Sequence, residues 1–181
     1  FATASGNVRR NNLRDFSNVM ANGKIAMKLQ EGDQLVRVRT CADEEDVMLS
    51  TSSGKCIRFP VQDVRVFVGR SSTGVRGIRL GGDDRVISMS VLRHVMIEVA
   101  ERDAYLRAIG ARRRLAGGGD YTNRADDKAE DEALAARLDE PQFAEMAASE
   151  EFVLTITQDG FGKRTSAYEY RISGRGGKGI T

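Results

Sequence analysis

Residues 69–80, GRSSTGVRGIRL, gather three glycines (Gly69, Gly74, Gly77) and three arginines (Arg70, Arg76, Arg79) around the hydroxyls of Ser71, Ser72 and Thr73. Glycine reaches φ > 0 and lets one backbone approach another surface closely. Bare amides and hydroxyls bond phosphate oxygens, and a guanidinium pairs with them bidentately. The chemistry this points to is recognition of phosphate. It is not nucleotide hydrolysis: Gly69 and Gly74 have the spacing of a P-loop, but Val75 stands where that motif needs lysine. The related GRGGKGIT at 174–181 also lacks the full pattern.

Other chemistries find little material. His94 is the only histidine, which leaves a Ser-His-Asp triad or a histidine metal site almost nothing to build on. Cys41 and Cys56 lack CxxC spacing and read as reduced, mostly buried thiols. The carboxylates Asp83-Asp84 and Asp43-Glu44-Glu45-Asp46 lie in turns between strands and read as solvated loops rather than a Mg²⁺ site. No run of 18 apolar residues and no signal peptide is visible, so no membrane association is expected. The chain opens in FATASG without an initiator methionine and closes on GKGIT, as expected of a segment cut from a larger protein.

The net charge of +2 hides a division. Residues 101–150 carry −4, and the remainder carries +6. A basic surface of that kind suits a polyanion partner, most simply nucleic acid.

The elements that present these residues repeat. FATASGNVRRNNLRDF (1–16), MLSTSSGKCIRFPVQDVR (48–65) and VLTITQDGFGKRTSAYEY (153–170) each read as a strand, a glycine turn (Gly6, Gly54, Gly160) and a basic strand. This is a β-hairpin pattern. Each is followed by a second unit: NGKIAMKLQEGDQLVRVRTC (22–41), TGVRGIRLGGDDRVISMSVL (73–92), and the short GGKGIT (176–181). The spacing from hairpin glycine to second-unit glycine (Gly23, Gly74, Gly179) is 17, 20 and 19 residues. Period-2 alternation marks Leu35-Val36-Arg37-Val38-Arg39 and Val86-Ile87-Ser88-Met89-Ser90 as strands. From Gly6 to Gly54 is 48 residues, suiting a propeller-like blade of about four short strands. From Gly54 to Gly160 is 106 residues, and the excess at 101–150 reads as a helical insertion. It is expected to break at GGGDYTN (117–123), to run as helix over 126–149, and to be interrupted by Pro141. Strands at 95–99 and 152–156 would then lie side by side in one sheet.

TGVRGIRLGGDDRV, NGKIAMKLQEGDQL and QDGFGKRTSAYEYR resemble, taken together, the carboxy-terminal domain family of the DNA gyrase A subunit. The likeness covers 1–99 and 151–181; the insertion lies outside it. It implies an all-β fold: a β-pinwheel, related to propellers, whose blades of about four antiparallel strands exchange strands. The expected organisation is blades over 1–100, an acidic helical insertion within a blade over 101–150, and the rest of that blade with the start of the next over 151–181. The resemblance also implies that duplex DNA wraps around a basic rim. ATP and Mg²⁺ would be used elsewhere in a bacterial, cytoplasmic holoenzyme with a B subunit and a second A subunit, and no cofactor is expected here. The family's signature heptapeptide QRRGGKG belongs to a first blade that this chain lacks. SGRGGKG (173–179) matches it at Arg175, Gly176, Gly177, Lys178 and Gly179, but follows GFGKRT and reads as the equivalent turn of a later repeat. The strand-cleaving tyrosine would lie upstream, so Tyr105, Tyr121, Tyr168 and Tyr170 receive no catalytic role. The rivals are the homologous topoisomerase IV domain and a protein-interaction scaffold.

Wrapping is phosphate neutralisation plus bending, with little base readout. It requires cations at intervals along one edge. The expected DNA contacts are Arg9, Arg10, Arg14, Lys24 and Lys28 in the first repeat. In the second they are Lys55, Arg58, Arg70, Arg76 and Arg79. In the third they are Lys163, Arg164, Arg171, Arg175 and Lys178. Solubility and protection of strand edges are the competing reason for basic residues at such positions.

Overall fold

Three β-hairpins organise the chain, and each starts from the same local chemistry. The computed structural model describes residues 1–115 and 138–181. Thr3, Thr51 and Thr157 each stand three positions before a turn glycine. The amides of Gly6, Gly54 and Gly160 donate to the threonine carbonyls at 3.0, 3.1 and 3.0 Å. The next amide, of Asn7, Lys55 or Phe161, donates to the threonine Oγ1 at 3.3, 3.2 and 3.2 Å. Such a side-chain bond closes a turn independently of any sheet.

The hairpins so made are β1 (Ala2–Thr3) with β2 (Asn7–Val8), β4 (Glu45–Thr51) with β5 (Cys56–Pro60), and β8 (Phe152–Ile156) with β9 (Gly162–Ser166). All are antiparallel, with Ala2 opposite Val8, Val47 opposite Phe59 and Leu154 opposite Arg164. The three sequence-predicted hairpins are therefore present.

Two compact units result: Phe1–His94 with Tyr170–Thr181, and Val95–Glu169. In the first unit, β3 (Leu35–Arg37), β6 (Val75–Arg76) and β7 (Val86–Arg93) complete two blades. One sheet runs β3-β1-β2-β6 and the other β5-β4-β7. Ile180 bridges Cys56 on the free side of β5, as Val75 pairs with Val8 on β2. Each blade thus takes three strands from its own repeat and the fourth from the repeat that follows. The core beneath is Ala2, Val8, Val47, Leu49, Ile57, Phe59, Val61, Val64, Ile78, Val86 and Met89.

Two glycines make this exchange possible. A Cβ on Gly74 would lie 2.3 Å from the Val8 carbonyl oxygen, and one on Gly179 would lie 2.6 Å from that of Cys56. Both have positive φ, 92° and 74°. The crossing strand must enter at that point, and only glycine fits there. Residues 22–30, which match 73–81 in sequence, form no strand here.

The second unit joins the third hairpin to helices α1 (Val99–Leu115) and α2 (Glu140–Ser149). Its core is Tyr105, Ala108, Phe143, Met146 and Tyr168. Tyr105 and Tyr168 meet edge to face at 5.4 Å, and their hydroxyls donate to Glu150 Oε2 (2.9 Å) and the Met146 carbonyl (3.0 Å).

Two expectations change. Pro141 does not interrupt a helix; it sits in the first turn of α2, behind a capping box of Asp139 and Gln142. A first-turn proline loses no hydrogen bond, because its missing N–H would be unpaired there anyway. Residues 95–99 do not form a strand beside 152–156. β7 ends at Arg93, α1 begins at Val99, and the only described partner of β8 is β9. Val95 and Ile97 pack instead on the aromatic cluster, which draws this segment to the helices. The second compact unit includes the third hairpin as well as the helices. The expected break at 117–123 and the helix over 126–137 lie outside the described residues.

Candidate nucleic-acid interface

The arginines nominated from sequence divide by burial, and the division follows the hairpins. Arg9 and Arg58 are 2 % and 4 % exposed. Neither presents charge to a ligand, which corrects their assignment as DNA contacts. The Arg9 guanidinium donates to the carbonyls of Gly69 and Ser72 and to Asn11 Oδ1. It ties down the turn that precedes β6. Arg58 Nε donates to the fully buried Asp46 at 2.8 Å, and its Nη2 to the Arg93 carbonyl at 2.8 Å. His94 Nδ1 shares the same carboxylate at 2.7 Å. A buried charge must find internal partners; Arg58 has the Asp46 carboxylate, and Arg9 has two main-chain carbonyls and an amide oxygen. His94 thus has a structural partner.

Arg10 occupies the place of Arg58 in the first blade. Both lie four residues after the turn glycine, and both bridge a later parallel segment, at Val66 and at Ile172. Arg10 pairs with Asp43 at 2.5 Å and bonds the Val64 carbonyl, so its charge is largely committed. Arg164 has that position in the third hairpin. There it is exposed and stacks over Phe152 at 4.4 Å. Lys24 is exposed but bonds the carbonyls of Asp15 (3.0 Å) and Asn18 (3.1 Å).

A denser arrangement lies where consecutive repeats meet. The Gly77 amide donates to the Gly6 carbonyl, the Gly176 amide to the Gly77 carbonyl, and the Arg79 amide to the Gly177 carbonyl, each at 2.7 Å. GVRGIRL and GRGGKGIT, far apart in sequence, therefore lie hydrogen-bonded side by side. The exposed side chains of Arg76, Arg79 and Lys178 rise from these adjoining segments. Arg70 and Arg175 are half-buried and donate to main-chain carbonyls. The structure thus brings together residues from the second and third repeats. Lys55 is half-buried, while Arg14, Lys28, Lys163 and Arg171 are exposed.

Sequence reasoning passed over other exposed cations. Arg37 and Arg39 are exposed, and Arg65 lies 4.3 Å over the Phe67 ring. The alternation of Leu35-Val36-Arg37-Val38-Arg39 carried a usable signal for the first two. Sequence reasoning also passed over Asp33 and took Asp84 for part of a solvated loop, whereas both hold hairpin turns. Asp33 accepts from the Ser5 amide (2.9 Å) and hydroxyl (2.6 Å), and Asp84 from the same groups of Ser53 at the same distances. Burial opposes ionisation of both carboxyls. The bonds from Ser5, and those from Ser53, outweigh it and hold both below the usual carboxylate range. The acidic glycine turns EGD and GDD are therefore clamps, not free loops. Burial pushes the Cys56 thiol up, away from reactivity. Among the described residues no three His, Cys, Asp or Glu side chains converge on a point that would hold a metal. None of the described helices is long and apolar enough to cross a membrane.

Blades completed by a strand from the following repeat, closed by glycine turns and studded with arginine, define a strand-exchanging propeller. The family described as the DNA gyrase C-terminal domain, a beta-propeller, matches residues 1–42, 45–93 and 151–181, and this chain belongs to it. The DNA gyrase A subunit of Granulibacter bethesdensis is 52% identical over 186 residues, covering 99% of this chain and 20% of that protein. The Rickettsia bellii protein is 49% identical and the Staphylococcus aureus protein 33%, covering 99% of this chain and 19% and 14% of those proteins. The chain thus spans about a fifth or less of the length of these relatives. A solved gyrase A C-terminal domain superposes with a TM-score of 0.62 at 19% identity, over 99% of this chain and 41% of that one. A topoisomerase IV C-terminal domain does so at 0.62 and 18%, over 99% and 39%. At such identity these two structures speak to the fold alone.

Proposed function

We propose that this chain binds and bends duplex DNA as part of a gyrase A subunit, supporting negative supercoiling without chemistry of its own. The observation that carries the reading is the meeting of two repeats at 76–79 and 175–178, which sets Arg76, Arg79 and Lys178 beside glycine backbone. DNA lying across such junctions exchanges its counterions for fixed arginines, a contact that reads the backbone and not the bases. Further phosphate contacts fall to the exposed Arg14, Lys28, Lys163, Arg164 and Arg171 and to the half-buried Lys55. The named relatives are gyrase subunits, and identity of about half to two of them favours gyrase over topoisomerase IV. In the intact enzyme a B subunit hydrolyses ATP with Mg²⁺, a second A subunit completes the assembly, and the site of action is the bacterial cytoplasm. The test is titration of linear duplex DNA over a series of salt concentrations. Affinity falling steeply with salt is expected. Affinity indifferent to salt, or no binding at low salt, would remove this reading in favour of a protein-interaction scaffold.

A further inference from the structure

Arg70 and Arg175 belong to equivalent turns, GRSSTG and GRGGKG, of consecutive repeats. They look like two more phosphate ligands. Their bonds say otherwise. Arg70 Nη1 donates to the carbonyl of Ile25 at 2.9 Å. Arg175 Nη1 donates to the carbonyl of Arg76 at 2.5 Å. Ile25 and Arg76 are themselves equivalent, since each stands two residues after the glycine of NGKI and TGVR. The same arginine in two successive repeats therefore reaches back to the same carbonyl of the repeat before it. Arg175 holds a second point as well: its Nε donates to the Asp63 carbonyl at 3.1 Å, and its amide to Asp63 Oδ2 at 3.4 Å. One planar guanidinium thus spans two main-chain oxygens. A lysine ammonium is a single point and cannot hold both in a fixed geometry. The carbonyl that Arg175 grips belongs to Arg76, whose own side chain is exposed.

We propose that Arg70 and Arg175 are positioning residues: each clasps the preceding repeat at the second residue after its entry glycine, and so sets the interval between successive exposed cations. This rests on the DNA-bending reading, and deepens it by separating arginines that touch phosphate from arginines that space them. Bending depends on where neutralised phosphates fall along the duplex, so a change of interval alters the bend even when the number of contacts is unchanged.

The test compares Arg175→Lys, Arg175→Gln and Arg79→Gln with the unsubstituted protein, in the intact subunit that carries this chain. Two quantities are read. One is the slope of log affinity against log salt. The other is the DNA bend at saturating protein, by energy transfer between labelled duplex ends, with a thermal melt to establish that each variant is folded. Arg79→Gln is expected to lower the slope by about 0.9, the value of one phosphate contact. Arg175→Lys and Arg175→Gln are both expected to keep the slope and reduce the bend. If Arg175→Lys behaves as unsubstituted protein while Arg175→Gln lowers the slope, Arg175 is a phosphate ligand and the inference is overturned. Should an Arg175 variant fail to fold, Arg70→Gln decides the question: a kept slope with a reduced bend supports the inference, and a lowered slope overturns it. Failure of the unsubstituted protein to bind with a salt-dependent slope would instead remove the DNA reading itself.

Discussion

Asp33 and Asp84 each place one carboxylate on the amide and hydroxyl of a turn serine, 28 and 31 residues away in sequence. The cost of partly desolvating the charge is offset by those bonds, and both carboxyls titrate below the ordinary range. A carboxyl held low contributes stability that is complete above its unfolded value of about 4, and that is lost as pH falls through the lower folded value. Stability should therefore decline on acidification below about pH 4, and Asp84→Asn should flatten that decline. Denaturant melts of both proteins from about pH 5 to about pH 2 measure this. An unchanged pH profile in the variant would show that Asp84 contributes nothing through its charge. The same scale explains why residue type alone misled at Arg9 and Arg58. An arginine after a hairpin glycine is equally consistent with an outer rim and with an inner ion pair. Only the carboxylate of Asp46, arriving from the neighbouring strand, decides for the interior at Arg58.

At the scale of elements, the three hairpins were legible because their determinants are local: a threonine, a glycine three positions on, and strand alternation on either side. The exchange of strands was not, because pairing of β6 with β2 brings together residues 67 or more positions apart. Its one local trace is Gly74, recurring as Gly179 where the next crossing segment meets Cys56. Gly74→Ala would place a methyl group 2.3 Å from the Val8 carbonyl oxygen at φ 92°. Displacing that strand and straining the backbone should cost on the order of 3 kcal/mol. Gly82→Ala, with nothing within 4 Å of the new atom, carries only the backbone cost of about 1 kcal/mol. Urea melts of the two variants check the contrast, and equal losses would contradict the crossing as drawn. Pro141 teaches a related lesson. Read within a long helical pattern it is a breaker, and read after Asp139 it is a start.

At the scale of the molecule, the first unit is a succession of blades in which each depends on the next. The third hairpin, in the second unit, has only its own two strands paired among the described residues. Its strand β8 leaves Leu154 and Ile156 each 64% exposed, whereas β4, flanked on both sides, buries Val47, Met48 and Leu49. What the repeat delivers to the surface is a recurring step: a glycine entry, an arginine clasp to the previous repeat, and exposed cations on either side of it. GRSSTGVRGIRL is one such step. It lies hydrogen-bonded beside GRGGKGIT. The central claim is that exposed cations at these junctions, and not the interior arginines, hold DNA. The direct measurement is the salt dependence of duplex affinity for the triple variant Arg76→Gln, Arg79→Gln, Lys178→Gln beside the unsubstituted protein. A slope reduced by about 0.9 for each cation removed, with the thermal melt preserved, is the expected result. An unchanged slope in a folded variant would place the DNA on another face and contradict the account.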